Sequence, residues 1–325
     1  MMSLRLPIVA VLAGVLIGCS GTASAQDEAK DWPNKPVKLI VNYGPGGSND
    51  NTMRPYSERL SKMLGQQFVL EHRGGASGAI GLEGAMKSPP DGYTFVSTPN
   101  LSMQIVPHLR QTAYHPIKDF KPVSMLTAST VVFAVPPSMP VNTLQEAIAY
   151  IKQNPDKIGW GTAGIGSMSH IILEMLNREL DIKILHVPYR GAGESIQDFL
   201  AGVIQIHSDP NTLPHVAGGK AKLLAVIDKQ RHPDYPNVPV FKEIYPSIDF
   251  LAWFGLFAPQ GTPDAIIAKL NAAIAKVALE PEVGAILRKV ALTPSPSTPA
   301  ELAEALRKDY ERFGRIIKDL DIKAE

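Results

Sequence analysis

Cysteine is nearly absent: Cys19 alone, close to the N-terminus, in a chain of 325 residues. A disulfide within the chain is therefore excluded, and so is a thiolate metal site if the segment carrying Cys19 is cleaved off. An excess of charge is missing too. Lys and Arg number 32 against 31 Asp and Glu, without basic clusters, which argues against a nucleic-acid partner because phosphate neutralisation needs concentrated cations. No long apolar run is present either. The longest stretch near the start, from Leu6 to Ile17, is too short to span a bilayer. Internal repeats, heptad stripes and low-complexity tracts are likewise missing.

What is there begins with "MMSLRLPIVAVLAGVLIGCSGTASAQ". One basic residue (Arg5), an apolar run and then small residues make the layout of an export signal. The segment "ASA" at 23–25 fits cleavage after Ala25, giving a signal peptide of residues 1–25 and a mature chain from Gln26. The competing reading is "LIGC", a lipobox-like segment that would place a lipid on Cys19. Either way the expected location is the periplasm of a bacterium.

The mature sequence alternates. "PVKLIVNY" reads as a buried parallel strand, "GPGGSND" as a turn, and Thr52 to Leu64 as a helix closed by Gly65. "QFVLEHR", "GGASGAIG" with a helix to Lys87, the turn "PPDG" and the strand "YTFVST" repeat the pattern. Further on, Thr143 caps an amphipathic helix with Leu144, Ala147, Ile148 and Ile151 on one face. "IGWGTAGIGSMSH" again runs strand, glycine turn, serine, helix. Residues 128–138 and 250–263 are long extended segments, and the C-terminal part is helical, the charged 301–320 stretch reading as a solvated face. Two sets of βαβ units with two crossings imply an α/β fold of two doubly wound lobes with a cleft between them. Lobe 1 is expected over 26–129 plus 253–325, and lobe 2 over 130–252.

The glycine turns carry the chemistry. A helix start offers unpartnered N–H groups and about half a positive charge, and glycines let a ligand come close to the backbone. Ser48, Asn49, Thr52 and Ser167 add small donors there. "GPGGSND" lacks the G-K-[ST] ending of a P-loop, and Asn49 occupies the third glycine position of G-x-G-x-x-G, so a nucleotide is disfavoured. With no lysine in the loop, a carboxylate is the better anion. Such glycines also serve ordinary strand-to-helix turns. Two similar loops, each opening a helix in a different lobe, argue for a shared ligand.

At this point the chain resembles the substrate-binding proteins of tripartite tricarboxylate transporters, the Bug-type receptors. The resemblance runs through "WPNKPVKLIV", "YGPGGSNDNTMR", "EHRGGASGAIGLEGAMKSPPDGYTF", "YHPIKDFKPVSML", "GTAGIGSMSH", "HVPYRGAGESIQDFLAG" and "WFGLFAPQGTP". It implies a type II periplasmic-binding-protein fold that closes on a small di-, tri- or aromatic carboxylate, needs no cofactor or metal, acts as a monomer, and delivers its ligand to membrane permease subunits. It further implies a ligand shell of Tyr43, Gly46, Gly47, Ser48, Asn49 and Asp50 in the first loop, with Ser77 and Asn100 nearby. From the second lobe it implies Thr162, Gly166, Ser167 and His170, with Asp209 facing the far end of the ligand. Arg190 in "PYRGAG" could clamp a carboxylate or serve an internal ion pair. Three departures stand out: Tyr43 replaces the usual Phe, "IHSDPNTLPH" differs from the common "MFDN", and "TPNLSMQ" lacks a frequent histidine.

Two other readings arise from the residues. Ser169 and His170 invite a hydrolase acting on a carboxylate ester, although neighbours on a helix point about 100° apart. His207, Asp209 and His215 invite a metal, which would need further support. Trp253 and Phe254 read as hinge packing.

Overall fold

"VKLIV" buries both of its faces. In the computed structural model, which describes residues 30–319 apart from 163, 166, 190 and 191, strand β1 (Val37–Val41) sends Val37, Leu39 and Val41 into one apolar core and Ile40 into another. Lys38 alone is exposed, and a run apolar at the other four positions suits a sheet covered on both faces. The export signal and Cys19 lie outside the described residues.

β1 pairs in parallel with β2 (Phe68–His72) and β3 (Thr94–Pro99), Leu39 standing opposite Leu70 and Phe95. The helices between them are α1 (Ser48–Leu64) and α2 (Ala79–Met86). α1 starts four residues before the expected Thr52, because Ser48, Asn49 and Asp50 form its first turn, and it ends on left-handed Gly65 as expected.

The rest of this sheet is antiparallel. β10 (Ala252–Pro259) lies between β3 and β4 (Phe120–Ser129) and runs against both, and β11 (Leu292–Pro294) adds to the far edge of β4. The second crossing is thus a central strand of the first sheet. Trp253 and Phe257 pack into one core and Leu256 and Ala258 into the other.

The first crossing turns at Thr130. There the chain leaves β4 and enters β5 (Val131–Val135), the start of a five-stranded sheet in the order β7-β6-β8-β5-β9. Its other members are β6 (Gly159–Thr162), β7 (Leu185–Pro188), β8 (Ile206–His207) and β9 (Lys222–Ile227). Val131, Phe133 and Val135 face one core, Val132 and Ala134 the other. Around this sheet lie α3 (Leu144–Gln153), α4 (Met168–Leu180) and α5 (Ala192–Leu200). α3 matches its expectation: the Thr143 hydroxyl accepts the Glu146 N–H, and the four apolar residues of its inner face are buried.

Three helices follow β10: α6 (Asp264–Ala278), α7 (Pro281–Arg288) and α8 (Pro299–Asp319). The expected solvated face of α8 is only half of it. Leu302 and Leu306 enter a core of the first sheet, while Phe313, Ile316 and Ile317 enter the core of the second. The last helix therefore ties the two units together. Among the described residues no helix is long and apolar enough to cross a membrane.

Candidate functional site

Where the chain passes between the two sheets a cavity of about 320 Å³ opens. Ser129–Val131 and Ala252–Phe254, the two crossings, form part of its wall. Pro99, Asn100 and Leu101 close it from the end of β3, and Ser167, Met168, Ser169 and Ile172 from the start of α4. The remaining wall is Gly161, Ser195 and the run His207–Pro210. Among the described residues no Lys or Arg lines this cavity. A second cavity of about 580 Å³ shares Ser129 and Asp209 with the first and reaches Ser48. The cleft thus runs from the start of α4, past Asp209, to the start of α1.

The first glycine loop is organised from within. Gly46 has φ +79°, a left-handed conformation that favours glycine, and its N–H donates to Asp50 at 2.9 Å. The Asp50 carboxylate also accepts from Arg54 at 2.8 Å and meets His72 Nε2 at 2.8 Å. Burial works to raise its pKa, but Arg54, the Gly46 N–H and His72 outweigh this and hold the carboxyl below its ordinary range. Asp50 is therefore a brace for the loop. Asn49 is also turned inward. Its amide donates to Asn42 Oδ1 at 2.9 Å and to the Ser97 carbonyl at 2.7 Å, and its oxygen accepts the Ser97 hydroxyl at 2.6 Å. Among the expected ligand residues, Asn49 thus has both amide donors, and Asp50 both oxygens, engaged in bonds within the protein. Gly46, Gly47 and Ser48 are exposed, and half-buried Tyr43 places its hydroxyl 3.3 Å from Ser102 Oγ.

Ser77 lies in a strained stretch. Gly75, Ala76, Ser77 and Gly78 all have positive φ, at a cost of about 1–2 kcal/mol for each of the two non-glycine residues. Side chains hold it: Arg110 donates to the Ala76 carbonyl, Ser102 to that of Ser77 at 2.8 Å, and Asn42 to that of Gly78 at 3.2 Å. Asn100 lines the main cavity, and its amide donates to the Leu251 carbonyl at 3.1 Å.

In the second loop, Ser167 caps α4. Its hydroxyl accepts the His170 N–H at 3.3 Å and lies 3.1 Å from Ser169 Oγ, facing the cavity wall it helps to form. Thr162 and His170 sit behind that wall. Thr162 Oγ1 is 2.6 Å from His186 Nε2, and the rings of His186 and His170 stack at 3.9 Å. Burial, then the charge His170 would carry, lowers the His186 pKa to about 4. Ser169 thus meets Ser167, and His170 stacks on His186. Gly166 and Arg190 lie outside the described residues.

Asp209 occupies the boundary of the two cavities. Burial raises its pKa, partly offset by the Asn211 N–H, which donates to Oδ1 at 3.0 Å. Beside it stands a pair that the residue-by-residue reading missed. His207 Nε2 is 3.0 Å from Ser195 Oγ and its Nδ1 is 2.6 Å from Thr212 Oγ1. Both nitrogens are spent on hydroxyls, and among the described residues no three His, Cys, Asp or Glu side chains gather as a metal would require. The only signal in the sequence was the unusual "IHSDPNTLPH".

Residues 52–322 match the family model described as tripartite tricarboxylate transporter family receptor. Protein BugT of Bordetella pertussis is 29% identical over 318 residues, covering 95% of this chain and 96% of that protein. MatC from Rhodopseudomonas palustris, solved with bound malate, is 30% identical with a TM-score of 0.68, covering 88% of this chain and all of the other. An R. palustris protein solved with adipate is 29% identical with a TM-score of 0.70, covering 90% and 99%.

Proposed function

This chain belongs to the tripartite tricarboxylate transporter receptor family, and from that premise we propose that it captures a small carboxylate in the cleft and hands it to the permease subunits of such a transporter. The receptor works in the periplasm as a monomer and catalyses nothing. Its lobes are residues 26–129 with 253–325, and residues 130–252.

The observation that carries this reading is the start of α4 at the cavity wall, with Ser167 beside its first N–H groups and no described cation to take their place. Such a helix start attracts an anion. The related proteins solved with malate and adipate hold molecules of that class. Charge-assisted hydrogen bonds contribute roughly 1.5–3 kcal/mol each, and a micromolar site needs about 8 kcal/mol, so three or four donors suffice. Ser167 with its neighbouring amides supplies one side. Tyr43, Gly46, Gly47 and Ser48 supply the other once the lobes rotate about the two crossings and bring α1 towards α4. Ligand then stabilises the closed form, which is the surface the permease reads.

A panel of small carboxylates, malate and adipate included, is expected to contain at least one that raises the melting temperature. Ser48→Ala combined with Ser167→Ala is expected to abolish that rise. The shift must be measured from the variant's own baseline, because losing the Ser167 cap costs about 1 kcal/mol. A rise undiminished in the double variant would place the ligand elsewhere.

One observation favours a different reading: the Ser195–His207 pair has the spacing of a nucleophile and its base. The third member is Thr212, whose proton goes to the Asp209 carbonyl at 2.7 Å, so it brings no negative charge to support an imidazolium. Incubation with p-nitrophenyl esters is expected to give no turnover above buffer. Turnover that disappears in Ser195→Ala would establish the hydrolase.

A further inference from the structure

The three tryptophans of the chain are all buried, and their indole N–H groups are served unequally. Trp32 donates to the Gly92 carbonyl at 2.8 Å and Trp160 to the Ser208 hydroxyl at 3.1 Å. Trp253 is 1% exposed, and no atom among the described residues accepts from its Nε1. The core it shares with Met103, Met125, Phe257 and Leu302 offers carbon and sulfur in place of oxygen. A buried N–H left unpaired is uncommon, because stripping its water costs free energy that no bond restores. Trp253 stands on the wall of the cavity of about 320 Å³, in the strand that returns to the first sheet. The residue also borders a cavity of about 650 Å³ on the side of α8, and so separates the two. The two sides differ in charge. The α8 side carries five acidic residues, Asp228, Asp249, Glu301, Glu304 and Asp309, against three lysines. An N–H turned that way would face carboxylate oxygens, none of which takes it, and an anion would be repelled there. Among its described lining residues the smaller cavity has Asp209 as its one acidic side chain, and it holds the start of α4.

We propose that Trp253 binds the ligand directly, its indole N–H donating to a carboxylate oxygen held in the smaller cavity. This rests on the carboxylate reading given above. In place of a cation, the wall then presents a neutral donor that lost its water when the chain folded. A lysine must give up hydration to meet an anion. The Trp253 N–H has none left to give up, so little opposes its bond to a charged oxygen. The unpaired donor is a cost in the empty protein and a gain in the liganded one. The ring thus serves both the packing of the returning strand and the capture of the anion.

The test is an NMR titration of the parent protein labelled with nitrogen-15 at its indole nitrogens. Malate, adipate, succinate and benzoate are the probes, and a rise in melting temperature identifies those that bind. The three indole signals are told apart by their ring neighbours, Phe68 for Trp32, Phe133 for Trp160 and Phe257 for Trp253. With a bound acid the Trp253 proton is expected to move downfield, and by more than those of Trp32 and Trp160, which are already bonded. Trp253→Phe keeps an aromatic ring on the wall and removes the donor. It is expected to bind the same acid about 10- to 100-fold more weakly, the range of one charge-assisted hydrogen bond. Because the titration uses the parent protein, it gives an answer even where the variant does not fold. A bound acid that leaves the Trp253 proton unmoved would overturn the inference while leaving the carboxylate reading intact, and so would undiminished affinity in Trp253→Phe. No melting rise from any of the four acids would overturn both.

Discussion

Asn49→Asp is expected to destabilise the protein by about 3–5 kcal/mol, a fall in melting temperature of the order of 10 °C, although the position favours the opposite sign. Asn49 is the second residue of α1, where an exposed acidic side chain stabilises a helix by about 0.3–1 kcal/mol. The side chain is not exposed. It is 2% accessible and joins Asn42, Ser97 and Thr98 in a buried polar lattice beneath the glycine loop. The exchange keeps the shape and removes both donors, so Asn42 Oδ1 and the Ser97 carbonyl would face a carboxylate oxygen. Each buried acceptor left unpaired costs about 1–3 kcal/mol. Protonation would restore one donor at most. Two such losses exceed any gain from the helix dipole. Thermal unfolding of the variant checks this, and a stabilised variant would show that Asn49 faces the solvent or a ligand after all.

The same residue shows where a linear reading fails. Residue type at a helix start made Asn49 look like a ligand donor, and the family resemblance added Asp50. Whether such a side chain turns out to the cleft or in beneath the loop depends on Ser97 and His72, which lie 48 and 22 residues away. Ser167 was legible because a capping serine at a helix start is a local event. The Ser195–His207 pair was not, because it forms only when α5 packs against β8. The fold divides along the same line. β1 with its loop, α3 with its Thr143 cap and the two crossings follow from short-range pattern. β4 was hidden by Pro122, a residue that demotes a strand, and it is accommodated where the pairing with β10 is irregular. That β10 would sit antiparallel between β3 and β4 is a matter of how the returning chain pairs, which periodicity does not encode. α8 was misread because its charges are conspicuous and its apolar residues are shared between two cores.

Asp309 shows what that sharing costs. It lies on α8 between Leu306, in a core of the first sheet, and Phe313, in the core of the second, and is 6% exposed. Burial raises its pKa from 3.8 to about 6; Asp249 adds to the rise, while Arg312, Lys308 and Gln104 only partly oppose it. A carboxyl displaced that far is destabilised in its charged form by about 3 kcal/mol. The sign follows from linkage. The folded state holds the proton more tightly than the unfolded state does, so the stabilisation is fully present below pH 4 and is lost as pH rises to about 6. Asp309→Asn removes the charge. It also brings an N–H next to the Gln104 amide, whose Oε1 is buried without a partner among the described residues. The variant is therefore expected to be more stable than the parent by about 3 kcal/mol at pH 7.5, and the difference should vanish towards pH 4. Denaturant unfolding of both proteins at the two pH values measures it directly. Since the other carboxylates are common to both, taking the difference cancels Asp50, whose depressed pKa pulls stability the opposite way. A variant less stable than the parent at pH 7.5 would mean that Lys308 and Arg312 stabilise the Asp309 charge by more than burial costs it.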